Sequence, residues 1–143
     1  MVRVSDLLKV KGQDIWALLP DATVYAAIEL MAQKGVGALL VMEGEKLVGI
    51  ISERDYARKV ILKGKASRET RVSEVMSHPV ITVHLELTVE ETMVLMTDKH
   101  IRHLPVVAEE KIVGVISIGD VVRGIIEDKQ FEIRQLTNYI TGR

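Results

Sequence analysis

The chain contains one segment twice, and that repetition limits its fold more than any other feature. Thr23-Val24 recurs 65 positions on as Thr88-Val89, and Met31 recurs as Met96. At the same offset Lys46-Leu47-Val48-Gly49 meets Lys111-Ile112-Val113-Gly114, and Ile51-Ser52 meets Ile116-Ser117. Asp55 then falls on Asp120 and Arg58 on Arg123. The offset holds without a gap from about residue 15 to residue 60. Upstream, Val4-Ser5-Asp6 resembles Val72-Ser73-Glu74 at a slightly longer offset, so the first copy carries a short insertion.

Each copy reads as strand, helix, hairpin, helix. Ile15 to Leu19 and Val80 to Val83 are apolar runs of strand length. Val24, Ala27, Ile28 and Met31 fall on one helix face, and Val89, Met93 and Met96 repeat the stripe. Thr88-Val89-Glu90-Glu91 is a capping box for the second of these helices. Two buried strands follow in each copy. Ala38 to Met42 and Leu47 to Ser52 flank a turn at Glu43-Gly44-Glu45, and His103 to Val107 and Ile112 to Ser117 flank Glu109-Glu110. A closing helix starts near Arg54 and again near Gly119. The polar segment from Lys63 to Arg71 joins the copies, with Gly64 as a helix stop.

These elements define an α/β (α+β) fold of two repeats, each β-α-β-β-α, with helical extensions at both ends. Residues 1–62 form repeat 1 with an N-terminal helical segment, 63–71 a linker, 72–126 repeat 2 and 127–143 a helical tail. A unit of about 50 residues cannot cover the apolar face of its own small sheet. Packing the two sheets together about a pseudo-two-fold axis meets that need and places clefts between the repeats. With aromatics at only 3%, the core is built from Val, Ile, Leu, Ala and Met; Met31, Met42, Met76, Met93 and Met96 fill gaps in it.

The closing strand of each copy carries the chemistry. Gly49-Ile50-Ile51-Ser52-Glu53-Arg54-Asp55 and Gly114-Val115-Ile116-Ser117-Ile118-Gly119-Asp120 share Gly, two apolar residues, Ser, two variable residues and Asp. The serine sits at a strand-to-helix junction, where free N–H groups and the helix dipole favour an anion. The aspartate, one turn on, offers a carboxylate able to accept two hydroxyl hydrogens, as a ribose diol presents them. Ser-x-x-Asp at a helix start is equally a near capping box that needs no ligand. Spacing alone leaves both readings open.

The doubled motif within matched repeats resembles the CBS domain family, whose members occur as tandem pairs, and the resemblance covers Val4 to about Ile126. It implies that Ser and Asp hold the phosphate and ribose of an adenosyl ligand, here AMP, ADP, ATP or NAD. It further implies that Ser52 and Asp55 face Thr82, Val83, Ile101, Arg102, His103, Leu104 and Pro105 of the other repeat, with phosphate near Arg102 and His103. Arg54 adds a cation, and Arg58 is a weaker candidate. Ser117 and Asp120 then face Ala17, Leu18, Val36, Gly37, Ala38 and Leu39. The two clefts differ, because Gly37 and Ala38 stand where Arg102 and His103 stand. The Asp120 cleft therefore lacks that Arg and His for phosphate and is expected to stay empty, to bind more weakly or to accept a bulkier group, while the Asp55 cleft prefers a nucleoside phosphate and NAD suits either.

Other functions are poorly supported. The formal charge of −1 argues against a broad nucleic-acid surface. No apolar run reaches the ~18 residues of a membrane span. The first residues lack a signal-peptide core, and the absence of cysteine suits the reducing cytoplasm and excludes disulfides and thiol chemistry. His100-Ile101-Arg102-His103 spans a loop-to-strand passage without an acidic pair to complete a metal set. Gly44 to Gly49 has P-loop glycine spacing, but Ile50-Ile51 stands where Lys-Ser/Thr is needed. No nucleophile and base pair suggests an enzyme. The expectation is a non-catalytic sensor, with a ligand-free dimerisation or scaffold module as the alternative. Beyond Arg123 an apolar stripe through Ile125, Ile126, Phe131, Ile133, Leu136 and Ile140 has no repeat counterpart; it points to a homodimer contact or, less directly, to an intramolecular dock. With no room for an effector domain, output passes through oligomer contacts or a protein partner in trans.

Overall fold

The computed structural model describes residues 1–142. Its elements follow the repeat: α1 (Val4–Lys11), β1 (Ala17–Leu18), α2 (Val24–Lys34), β2 (Ala38–Glu43), β3 (Lys46–Ser52), α3 (Glu53–Tyr56), α4 (Val72–Val75), β4 (Val83–His84), α5 (Val89–Lys99), β5 (His103–Ala108), β6 (Lys111–Ser117) and α6 (Ile118–Thr141). Each copy builds a three-stranded sheet, in the orders β1-β2-β3 and β4-β5-β6. The outer short strand runs parallel to the middle one, and the middle and last strands form an antiparallel hairpin. Both sheets carry a register shift at equivalent places, Val41/Met42 and Val106/Val107.

Local chemistry accounts for the element ends. Thr23 accepts a hydrogen bond from the Ala26 N–H at 3.1 Å and starts α2, which stops at Gly35 in the left-handed conformation. The expected capping box forms at α5, where Glu91 N–H donates to the Thr88 hydroxyl and the Glu91 carboxylate accepts from Thr88. The first strands are shorter than their apolar runs suggest. Pairing covers Ala17↔Leu40 with Leu18↔Val41 in one copy, and Val83↔Val106 with His84↔Val107 in the other. The helix after β3 also differs from the expected α-helix: its α-helical part is four residues, and Ala57–Ile61 continues it as a π-helix.

Contacts divide the chain into two bodies that do not follow sequence order. One comprises Ile15–Ile81; the other comprises Met1–Asp14 with the chain from Thr82 onward. The helix that precedes each repeat thus packs with the other repeat's sheet. In the first body, Val24, Ala27, Met31, Leu39, Val41, Ile51, Val60, Val72 and Val75 form the core, so α4 contributes two residues to it. In the second, Val4, Leu7 and Leu8 of α1 are buried in the same body as Val83, Val89, Met96, Leu104, Val106, Ile116 and Val121.

Glycine makes this packing close. A Cβ at Gly114 would lie 2.7 Å from Leu8 Cδ2, and one at Gly49 would strike the Met76 side chain. By the longer upstream offset Leu8 corresponds to Met76, so both bodies use one device: a large side chain of the incoming segment laid over a strand glycine. Gly114→Ala is expected to destabilise the protein by about 1–3 kcal/mol through overpacking. Adding Leu8→Ala should recover part of that loss, and thermal melts of the four-member mutant cycle would measure the coupling. Strict additivity would show that the contact does not limit the fit.

Candidate functional site

Both Ser-x-x-Asp motifs sit where a strand becomes a helix. At the end of β3, Ser52 is the N-cap of α3: its Oγ accepts from Asp55 N–H at 3.2 Å, and its own N–H donates to Asp55 Oδ2 at 2.9 Å. The Ser52 hydroxyl also donates to Asp55 Oδ2 at 3.1 Å. Ser117 and Asp120 repeat the reciprocal arrangement at α6, with distances of 3.3 and 2.8 Å. The capping reading is therefore realised at both helix starts. It does not exhaust the carboxylates, because in each one the second oxygen faces away from the cap.

At Asp55 that oxygen, Oδ1, accepts from the Ser77 hydroxyl at 3.2 Å and pairs with Lys59 Nζ at 3.0 Å. Lys59 also donates to the Val75 carbonyl at 3.0 Å, tying the end of α4 to the same cluster. At Asp120, Arg123 Nη2 donates to Oδ1 and Lys11 Nζ to Oδ2, both at 2.6 Å. Both aspartates are buried, at 8% and 7% exposure, so their charges need these partners. Burial of Asp120 disfavours the ionised form. The Lys11 ammonium and the bonds from Ser117 outweigh it and hold the carboxyl below the ordinary aspartate value.

The remaining sequence candidates divide between the two bodies. With Ser52 and Asp55 lie Ala17 (exposed), Leu18, Gly37 and Arg54 (half-buried), and Ala38 and Leu39 (buried). Gly37 and Ala38 are brought directly beside the motif: Ala38 pairs with Ser52, and the Gly37 carbonyl accepts from Glu53 N–H at 3.0 Å. The Leu39 side chain belongs to the core cluster. With Ser117 and Asp120 lie Thr82 and Arg102 (exposed), Ile101 and His103 (half-buried), and Val83 and Pro105 (buried). His103 pairs with Ser117, and the Arg102 carbonyl accepts from Ile118 N–H at 2.8 Å.

Two cations that a comparison of aligned repeat positions does not reveal, Lys11 and Arg123, reach the Asp120 carboxylate; neither stands where Arg102 or His103 stands. Arg123 was detectable as an i+3 partner on a helix, and Lys59 as the i+4 partner of Asp55. Ser77 and Lys11 carry no local signal.

Among the described residues, no group of three His, Asp or Glu side chains is arranged to hold a metal ion, and no helix is long and apolar enough to cross a membrane. The folded repeats and paired junctions are those of a tandem CBS module. The CBS domain profile matches residues 4–62 and again 72–127; this chain belongs to the CBS domain family and is a regulatory CBS pair. The CBS domain-containing protein CBSX3, mitochondrial, of Arabidopsis thaliana is 42% identical over 149 residues, spanning 97% of this chain and 72% of that protein. The structure of a protein with CBS domains from Burkholderia ambifaria MC40-6 is 45% identical, with a TM-score of 0.85 over 89% of this chain and 96% of its own. The CBS domain pair of protein MJ0100, solved with 5′-methylthioadenosine and S-adenosyl-L-methionine, is 25% identical, with a TM-score of 0.77 over 90% of this chain and 98% of its own.

The lowered Asp120 pKa fixes the direction of its pH dependence. A carboxyl with a folded pKa below its unfolded value of ~3.9 contributes fully above that pH and loses its contribution as the pH falls through the folded pKa. Asp120→Asn should therefore melt below the native chain at pH 7, by about 1 kcal/mol given that solvent screens the exposed Arg123. The gap should close in acid as the pH falls through the folded pKa. Equal melting temperatures at pH 7 would show that the ion pairs are energetically silent.

Proposed function

We propose that this CBS pair is a non-catalytic sensor that binds an adenine nucleotide (AMP, ADP or ATP) or NAD at its two Ser-x-x-Asp junctions. The observation that carries this reading is the state of the two aspartates. Each is buried, prepositioned by reciprocal bonds to its serine, and set at a helix start whose N–H groups favour an anion. A carboxylate for a ribose diol beside amides for a phosphate matches a nucleoside phosphate. The adenosyl ligands of the MJ0100 pair support the ligand class. Arg54, Thr82, Val83, residues 101–105, Ala17, Leu18 and residues 37–39, which the family resemblance assigns to the ligand, complete this reading. A cysteine-free chain suits the cytoplasm.

Calorimetry with AMP, ADP, ATP, NAD and S-adenosylmethionine tests the proposal on ligand-free protein. Ser52→Ala and Asp55→Ala should each weaken binding by roughly tenfold or more, as expected for loss of a hydrogen bond to a charged group. No heat with any of these ligands, for protein shown to be folded, would exclude the sensor reading.

Output through a homodimer is the second part of the proposal. The helix α6 runs unbroken from Ile118 to Thr141, and beyond Asp128 its described side chains are exposed. Phe131, Ile133, Leu136 and Ile140 are 51%, 61%, 63% and 80% exposed, which supports a contact made by this part of the stripe with a second copy. The same stripe favours the alternative, a ligand-free dimerisation module, with a protein partner in trans as a further route. Deleting residues 127–143 should convert a dimer to a monomer in light scattering. Unchanged mass would assign self-association to another face.

A further inference from the structure

The Asp120 junction differs from the Asp55 junction in one respect that bears on ligand choice. Two cations already occupy its carboxylate, and they approach from different segments. Lys11 is the last residue of α1, 109 positions from Asp120, and Arg123 lies one turn along α6. Their side chains are 38% and 70% exposed while the carboxylate is 8% exposed. A ligand that uses Asp120 must therefore meet Lys11 and Arg123 on its way.

We infer that Lys11 and Arg123 are specificity-determining residues, which make the Ser117–Asp120 junction select nucleotides with a phosphate chain over uncharged nucleosides. The inference rests on the reading that this junction binds an adenosyl ligand. A neutral ribose diol would have to displace two charge-assisted bonds of 2.6 Å and give the cations nothing in return. A di- or triphosphate offers both cations new anionic acceptors as they leave the carboxylate, which is then free to accept from the ribose hydroxyls. Arg123 presents a planar fork suited to phosphate oxygens, and Lys11 a compact point charge. A cationic adenosyl compound is disfavoured twice, because it brings no acceptor and adds a third positive charge.

The test compares ATP, ADP and adenosine by calorimetry in an Asp55→Asn background, which retains a side-chain oxygen for the Ser52 cap. Binding should fall from ATP to adenosine, and the ATP affinity should drop with added salt. Lys11→Gln with Arg123→Gln should cut the ATP-to-adenosine preference by roughly tenfold or more and flatten the salt dependence. A purely structural role for the two cations would instead weaken all three ligands alike. If Asp55→Asn does not fold, the same ratios are read in the intact chain from the binding component that Asp120→Asn removes. Retained binding with an unaltered preference in the double variant overturns this inference and leaves the sensor reading standing. Absence of binding by all three ligands to the intact chain overturns both.

Discussion

A sheet of three strands, one of them two residues long, has too little area to bury its own apolar face, and the architecture follows from that shortage. The chain covers each sheet with its α2- or α5-type helix and with a second helix drawn from the segment that precedes the other repeat. Strand glycines make the second contact close, since Leu8 lies over Gly114 and Met76 over Gly49. A Cβ at either position would hold the incoming segment off the sheet. The geometry of α1 and α4 also fixes what reaches the aspartates, because Lys11 ends α1 and Ser77 follows α4.

Those aspartates serve two needs with one set of atoms. The first helical N–H groups after β3 and β6 have no partner within their helices, and Ser52 with Asp55 and Ser117 with Asp120 supply reciprocal caps. The cap locks the carboxylate in one orientation, and the oxygen facing away from it is taken by a hydroxyl and an ammonium at Asp55 but by a guanidinium at Asp120. Two copies of one motif thereby arrive at different electrostatic surroundings. The difference comes from residues outside the motif.

Much of the fold could be read from the chain because its signals are local or periodic. The 65-residue offset, the Thr88–Glu91 cap and the two hairpins depend on neighbours a few residues apart, or on a comparison of one copy with the other. What escaped is non-local or off register. Lys11 meets Asp120 across 109 positions, and Ser77 meets Asp55 across 22. Arg123 matches Arg58 in the repeat, yet Arg58 is exposed and Lys59 makes the pair with Asp55. The π-helical turn at Ala57–Ile61 escaped because apolar spacing does not separate one backbone repeat from the other. The short β1 and β4 reflect how far the parallel pairing extends, whereas an apolar run reports only burial.

The lodging of each leading helix in the opposite body has a consequence for how such a chain can arise and be divided. Cut anywhere between the copies, it yields two fragments that each carry a helix belonging to the other and lack the one they need. A solitary copy would leave its strand glycine uncovered and its own leading helix without a seat. Two such copies could satisfy both deficits by exchanging helices, which is domain swapping in its ordinary sense. Covalent fusion of the copies makes that exchange intramolecular and independent of concentration.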